Sequence, residues 1–179
     1  DFTGQGVTLL SNQLFKKLYG DHKESVMSNP VLQTFRENNK SGFAYTWEKP
    51  EEWEDVLTLD VKKCYTSILY DNEYPFPVFD ITDNIEVYDG KPLRCGFYWV
   101  ETENFFPLKR NGLYCYSTLL ECRKRGIEFV VKHQILASHS LPVNYFVKYV
   151  KETTKVRTNP QDKEQENTFK KLNNTMIGF

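Results

Sequence analysis

Apolar residues recur at helical spacing from Val7 to Leu18. Leu10, Leu14 and Leu18 share one face, and the pattern predicts a helix that stops at Gly20. A second helix is predicted over Ser28 to Glu37, with Ser28 as N-cap and Pro30 in the first turn. The period then shortens. Gly42 to Trp47 and Val56 to Val61 read as strands, the latter a β-branched apolar run leading to one carboxylate, Asp60. Lys62 to Tyr70 returns to helical spacing and is ended by Tyr74-Pro-Phe-Pro77. Asn84 to Tyr88 reads as a strand entering a turn at Asp89-Gly90. Leu93 to Val100 reads as its returning partner in a β-hairpin. Gly112 to Arg125 is expected to be a helix with Leu113, Tyr116 and Leu120 inward, Cys115 and Leu119 as further inward candidates, and Gly126 closing it. A strand over Ile127 to Leu136, a helix over Pro142 to Lys151 and a last helix opening at Pro160 or Gln161 complete the chain. The order predicts an α+β fold: an antiparallel sheet, helices on one face and an inserted β-hairpin subdomain.

Two of these elements carry candidate chemistry. A carboxylate at the end of a buried strand is held rigidly at a cleft edge and suits a divalent cation. Tyr65, one helical turn further on, would wall the same cleft. An exposed Asp capping a helix fits the same residues. In the last helix, positions three and four apart share a face, so Lys163, Asn167, Lys170 and Asn174 form a polar stripe and Phe169, Leu172 and Met176 an apolar one. A cationic stripe beside a carboxylate-held metal neutralises a triphosphate; an ordinary amphipathic surface helix has the same pattern.

The string Leu57-Thr-Leu-Asp60-Val-Lys-Lys-Cys-Tyr65-Thr-Ser-Ile resembles motif A of the family-B DNA polymerases, D-x-x-S-L-Y-P-S-I. Lys170-Lys-Leu-Asn-Asn174-Thr-Met-Ile-Gly178 resembles their motif B, K-x-x-x-N-S-x-Y-G. Asn39-Lys-Ser41-Gly42 is similar to the Y-x-G-G/A element that precedes motif A in the protein-primed members, with Asn39 in place of the Tyr. The three lie in the family's order and cover residues 39 to 179. The resemblance implies a palm-like sheet divided as an N-terminal helical segment (1–38), a first palm part with motif A (39–70), an inserted β-rich subdomain like the terminal-protein region (71–110) and a second palm part with motif B (111–179). It implies DNA-directed DNA synthesis by two-metal phosphoryl transfer. Asp60 would be the catalytic carboxylate and, with the Val61 carbonyl, a ligand of two Mg²⁺ ions. Tyr65 would be the gate against a 2′-hydroxyl, Lys170 would hold the triphosphate, and Asn174 would lie against the nascent base pair. Ser41, Gly42, Lys163 and Gly178 would contact DNA. Implied partners are template and primer DNA, deoxynucleotide triphosphates, a terminal priming protein and the rest of a polymerase chain. Departures from the family pattern are Lys63, Cys64, Thr66 and Ile177. Asp80-Ile-Thr-Asp83 reads as a turn and not as the Y-x-D-T-D element that carries the second metal carboxylate. The chain by itself is therefore expected not to polymerise. Its start at Asp1 and its end inside a motif-like string suggest an excised part of a longer protein. A non-catalytic module binding DNA or a priming protein on a polymerase-like fold is the alternative.

Charge changes the picture along the chain and not in total. Residues 1–107 hold 10 Lys+Arg against 18 Asp+Glu, and residues 108–179 hold 13 against 6. A basic second half can track phosphates while the acidic half faces solvent or a partner. Cys64, Cys95, Cys115 and Cys122 lack metal-ligand spacing, and Cys115 and Cys122 are expected on one helix face. The four read as core residues of an intracellular, reducing compartment. His22, His133 and His139 are scattered, which argues against zinc. There is no phosphate loop, no nucleophilic triad pattern and no apolar run long enough to span a bilayer.

Overall fold

The computed structural model describes residues 4–20, 26–38, 55–61, 64–104, 106–158, 161 and 163–177. The chain divides into two compact units. One, the helical unit, gathers residues 1–24, 61–75 and 141–179; the other, the sheet unit, gathers residues 25–60 and 76–140. The predicted strand over Gly42 to Trp47 lies outside the described residues.

The helical unit contains α1 (Gly4–Tyr19), α3 (Cys64–Tyr70), α5 (Val147–Thr158) and α6 (Lys163–Ile177). The predicted end of α1 is where the pattern put it: Gly20 takes φ +83° and its amide closes on the Lys16 carbonyl at 2.8 Å. The buried positions are Val7 and Ser11, one turn apart, while Leu10, Leu14 and Leu18 are only half-buried. The reason is Tyr149 on α5, fully buried, whose hydroxyl sits 2.9 Å from Ser11 Oγ and donates to the Leu172 carbonyl of α6 at 3.3 Å. A buried phenol must have a partner, so the polar Ser11 faces inward and rotates the leucines toward the flank. Burial raises the Tyr149 phenol above its ordinary range. Tyr19 stacks on Tyr145 with ring centroids 4.7 Å apart and donates to the Tyr145 carbonyl at 2.7 Å, which ties the end of α1 to the start of α5.

The sheet unit is built on four strands in the order β2-β5-β3-β4: β2 (Ile85–Val87), β3 (Gly96–Glu101), β4 (Gly112–Cys115) and β5 (Val130–Leu136). Two shorter strands, β1 (Phe76–Val78) and β6 (His139–Leu141), pair separately. The expected antiparallel α+β class is observed. The expected hairpin is not. β2 and β3 each pair antiparallel with β5, which lies between them, so they run parallel to each other and cannot form a hairpin. The Asp89-Gly90 turn still forms, with φ +72° at Gly90 and the Lys91 amide donating to Asp89 Oδ1 at 3.1 Å, but it directs the chain past β5 instead of back onto β2.

Alternation along β3 covers both of its faces. Phe97 packs with Phe35, Leu113 and Ile135 against Val31 of α2 (Asn29–Asn38). Tyr98 and Val100 point the other way and are fully buried. The helices were expected on one face only. The difference arises at Cys115, where β4 passes directly into α4 (Tyr116–Lys124), which folds back onto β3 and β4 and buries Leu119 and Cys122. The predicted helix over Gly112 to Arg125 therefore begins as a strand, because Leu113, Tyr114 and Cys115 have Trp99, Tyr98 and Phe97 to pair with. Cys115 and Cys122 belong to different elements, not to one helix face. Ser28 precedes α2 as expected, but its hydroxyl donates to the Asp83 carbonyl at 2.9 Å and does not cap the helix.

Gly96 stands where β3 meets β5. A Cβ there would lie 2.3 Å from the Ile135 carbonyl oxygen, a backbone atom that cannot swing away. Gly96→Ala is therefore expected to destabilise the sheet unit by about 1–3 kcal/mol, the range of overpacking changes, measured as a shift of the urea midpoint. Gly90→Ala, with nothing within 4 Å of its Cβ, should cost less than Gly96→Ala; equal losses would mean that turn conformation and not the β3–β5 approach sets the effect.

Candidate functional site

The motif-like residues distribute over both units. Asp60 closes the first segment of the sheet unit, and Val61 opens the second segment of the helical unit. The predicted strand over Val56 to Val61 does not form: the run is irregular and exposed throughout, with Leu59 at 85%. An apolar run becomes a strand only when a neighbouring strand offers its backbone groups, and none of the described strands pairs with it. The buried strand-end setting expected for Asp60 is thus replaced by an exposed one. The Val61 carbonyl accepts the Cys64 amide at 3.3 Å and opens α3. Among the described residues no three His, Cys, Asp or Glu side chains converge as metal ligands.

Within the helical unit the picture is closer to expectation. α3 packs against both α5 and α6. Seven residues are too few for a free-standing helix; Thr66 is buried, while the Ser67 hydroxyl bonds the Cys64 carbonyl at 2.7 Å. Tyr65, next to Thr66, is 63% exposed. In α6 the buried residue is Leu172, Phe169 is half-buried, and Lys163, Lys170 and Asn174 are exposed. The polar stripe is exposed as predicted, and the apolar one is present at Phe169 and Leu172; the Met176 side chain lies outside the described residues. Glu164 and Glu166 occupy its first turn, where negative charge suits the helix dipole, and Gln165 Oε1 accepts the Gln161 amide at 2.7 Å. The structure brings the helix bearing Tyr65 against the helix bearing Lys170 and Asn174, from parts of the chain about 100 residues apart. Ser41, Gly42 and Gly178 lie outside the described residues.

The Asp80-Ile-Thr-Asp83 string is a turn, as read from the sequence. The Thr82 hydroxyl and amide both bond Asp80 Oδ1, at 2.5 and 2.7 Å, and the Asp83 amide reaches the Asp80 carbonyl at 3.2 Å. Asp83 is buried and accepts the Asp80 amide at 2.8 Å and both the amide and the hydroxyl of Ser138. This carboxylate has a structural role: it fastens the turn after β1 to the turn after β5.

Two cavities were not foreseen. In the helical unit an apolar groove of about 630 Å³ runs between α1 and α6, lined by Leu10, Leu14, Phe169 and Leu172 with Lys17 and Glu164 at its polar margin. In the sheet unit a cavity of about 450 Å³ lies beside the edge strand β4, with Phe35, Phe97 and Tyr114 among its walls and Arg36 and Lys109 lining it. The only sequence signal for the second was the Lys109-Arg110 pair at the start of the basic half. The four cysteines are free thiols; Cys64 is exposed and not a core residue, and burial pushes the Cys95 and Cys122 thiols up. No helix among the described residues is long and apolar enough to cross a membrane.

No protein-family model, curated protein or solved structure matches the chain.

The Asp80 turn yields a pH prediction. Hydrogen bonds from the Thr82 hydroxyl and then its amide hold the Asp80 carboxyl below its usual range. A depressed carboxylate contributes stability that is complete above its unfolded-state value and is lost as pH falls through the folded one. Asp80→Asn should therefore lower stability at neutral pH and flatten the loss of stability below about pH 4, the ordinary Asp range, in urea titrations across pH. An unchanged acid limb would remove Asp80 from the account.

Proposed function

We propose that this chain is the palm region of a family-B DNA polymerase of the protein-primed kind, from ahead of motif A to motif B. The observation that carries the reading is the packing of α3 on α6, with Tyr65, Lys170 and Asn174 all exposed on those two helices. A sugar-facing aromatic and a triphosphate-facing lysine must come from separate chain segments and stay accessible, and these meet both conditions. In the intact protein, Tyr65 excludes a 2′-hydroxyl by bulk, the Lys170 ammonium neutralises phosphate charge as a point cation, and Asn174 lies against the new base pair. Asp60 contributes one carboxylate toward Mg²⁺, and the remaining ligands come from other groups, the nucleotide phosphates included. When bound, the ions supply charge neutralisation for in-line displacement. The finer fold reading, a polymerase palm carrying an inserted subdomain over residues 71–110, belongs to the same proposal. So do template and primer DNA, a terminal priming protein, and a reducing compartment, which the four free thiols suit.

The second reading is a non-catalytic module that binds DNA or a priming protein. It is favoured by the exposed, irregular setting of Asp60. Under it, Asp60→Ala changes no activity of a polypeptide that contains this chain; under the first, templated synthesis is lost.

The direct test is equilibrium binding of a fluorescent deoxynucleoside triphosphate to the chain in excess Mg²⁺. Lys170→Ala should weaken binding about tenfold or more, the usual loss for a charge-assisted phosphate contact. Tyr65→Ala should narrow the preference for deoxy- over ribonucleotide. Absence of saturable triphosphate binding, or indifference to Lys170→Ala with the fold intact by circular dichroism, would overturn the polymerase reading.

A further inference from the structure

We infer that the cavity beside β4 is a binding pocket for a phosphorylated nucleoside, presented as a nucleotide of a single-stranded nucleic acid or as a free mononucleotide. The inference goes beyond the polymerase reading and does not depend on Lys170 or Asp60.

The pocket has an aromatic and apolar wall. Phe35 of α2 meets Phe97 of β3 edge to face, with centroids 4.7 Å apart, and both rings are half-buried, so ring surface remains toward the cavity they line. Tyr114 adds a third ring, fixed because its hydroxyl donates to the Arg110 carbonyl at 2.8 Å. Base stacking on such rings is tolerant of sequence and is worth about 1–3 kcal/mol per base. The charge is one-sided. Arg36 and Lys109 line the cavity, Asn38 adds an amide with donors and an acceptor, and no carboxylate stands among the described lining residues. An aromatic wall with two cations and an amide complements a planar base joined to a phosphate.

The wall that carries Lys109 is braced before any ligand arrives. Leu108 is fully buried and anchors the segment between Pro107 and Lys109. Asn104 accepts the Arg110 amide through its carbonyl at 3.1 Å, and its side-chain amide donates to the Glu128 carbonyl at 2.9 Å. The Thr102 hydroxyl donates to the same Glu128 carbonyl at 2.9 Å, and its amide donates to Asn111 Oδ1 at 2.9 Å. Arg110 is held at φ +60°, a left-handed conformation uncommon for a residue with a side chain. A wall fixed in advance reduces the ordering cost of binding. The volume, about 450 Å³, holds one nucleotide and not a duplex.

The test uses the full chain and two probes, an eight-residue thymidine oligonucleotide and thymidine monophosphate. Arg36→Gln with Lys109→Gln should weaken oligonucleotide binding at least several-fold. It should also reduce the slope of log K against log salt by about 1.4, the value for two phosphate-neutralising cations on a single strand. Because a binding loss can follow from a weakened fold, a second measurement maps the contact in the unaltered chain: a 4-thiothymidine oligonucleotide, crosslinked by near-ultraviolet light, should label the peptides containing Phe35, Phe97 or Tyr114. Displacement of the crosslink by monophosphate assigns the pocket to a free nucleotide; displacement by oligonucleotide alone assigns it to a strand. Crosslinks confined to other peptides, or an unchanged salt slope, overturn the proposal. Failure of Lys170-dependent triphosphate binding would remove the polymerase reading and leave this pocket standing; failure of the crosslinks here would do the reverse.

Discussion

The backbone ladder of β5 is the constraint on which the sheet unit depends. β5 supplies hydrogen bonds to β2 on one side and β3 on the other, so two strands close in sequence are joined only through a third that comes about 30 residues after β3. The same strand sets the core. Ile135 stands opposite Phe97 and packs with Val31 and Phe79, which fixes where α2 lies on the sheet. Beyond its end, Ser138 meets the buried Asp83 carboxylate, whose own carbonyl receives Ser28. One strand thus holds β2, β3, the approach to α2 and the turn after β1. The walls of the cavity beside β4 inherit this: Phe97 is fixed by its β5 neighbour and Phe35 by the helix that Ile135 supports.

The helical unit solves a different problem. Its centre is a tyrosine and not an aliphatic cluster. Tyr149 places a large ring in the core and delivers its hydroxyl to Ser11 and to the Leu172 carbonyl, so one side chain on α5 orients α1 and α6 together. The Thr153 hydroxyl, also buried, is satisfied within its own helix by the Tyr149 carbonyl at 3.0 Å. Hydrogen bonding in a low-dielectric interior is directional in a way that aliphatic packing is not. That directionality suits a unit whose exposed residues on α3 and α6 would have to hold a fixed mutual position.

How much of this was legible in the chain follows from where the information lies. α1, α2 and α6 are local objects, and their periodicity and stop signals were readable; α6 has its predicted polar face and, at Phe169 and Leu172, its apolar one. Partnership between strands is not local. Asp89-Gly90 correctly announced a turn, yet nothing near it says that β5 will intervene, because the deciding contacts come from residues 130–136. The run from Val56 to Val61 has strand composition but no described strand to pair with, which is why composition misled there. The start of α4 was obscured for the same reason: Leu113 to Cys115 suit a helix until Trp99, Tyr98 and Phe97 present an edge. The aromatic cavity was invisible because its walls come from α2, β3, the segment before β4 and β4 itself, and no spacing in the sequence links them.

The discontinuity of the helical unit bears on how the polypeptide acquires its shape during translation. The sheet unit is complete in sequence by residue 140, whereas α1, made first, needs α5 and α6, which end at residue 177. At ordinary elongation speeds the stretch from the end of α1 to the end of α6 takes roughly 8–32 s to synthesise. For that interval the nascent chain carries Val7 and the half-buried leucines of α1 without their companions. The sheet unit's own residues are all made before α6 completes the packing of α1.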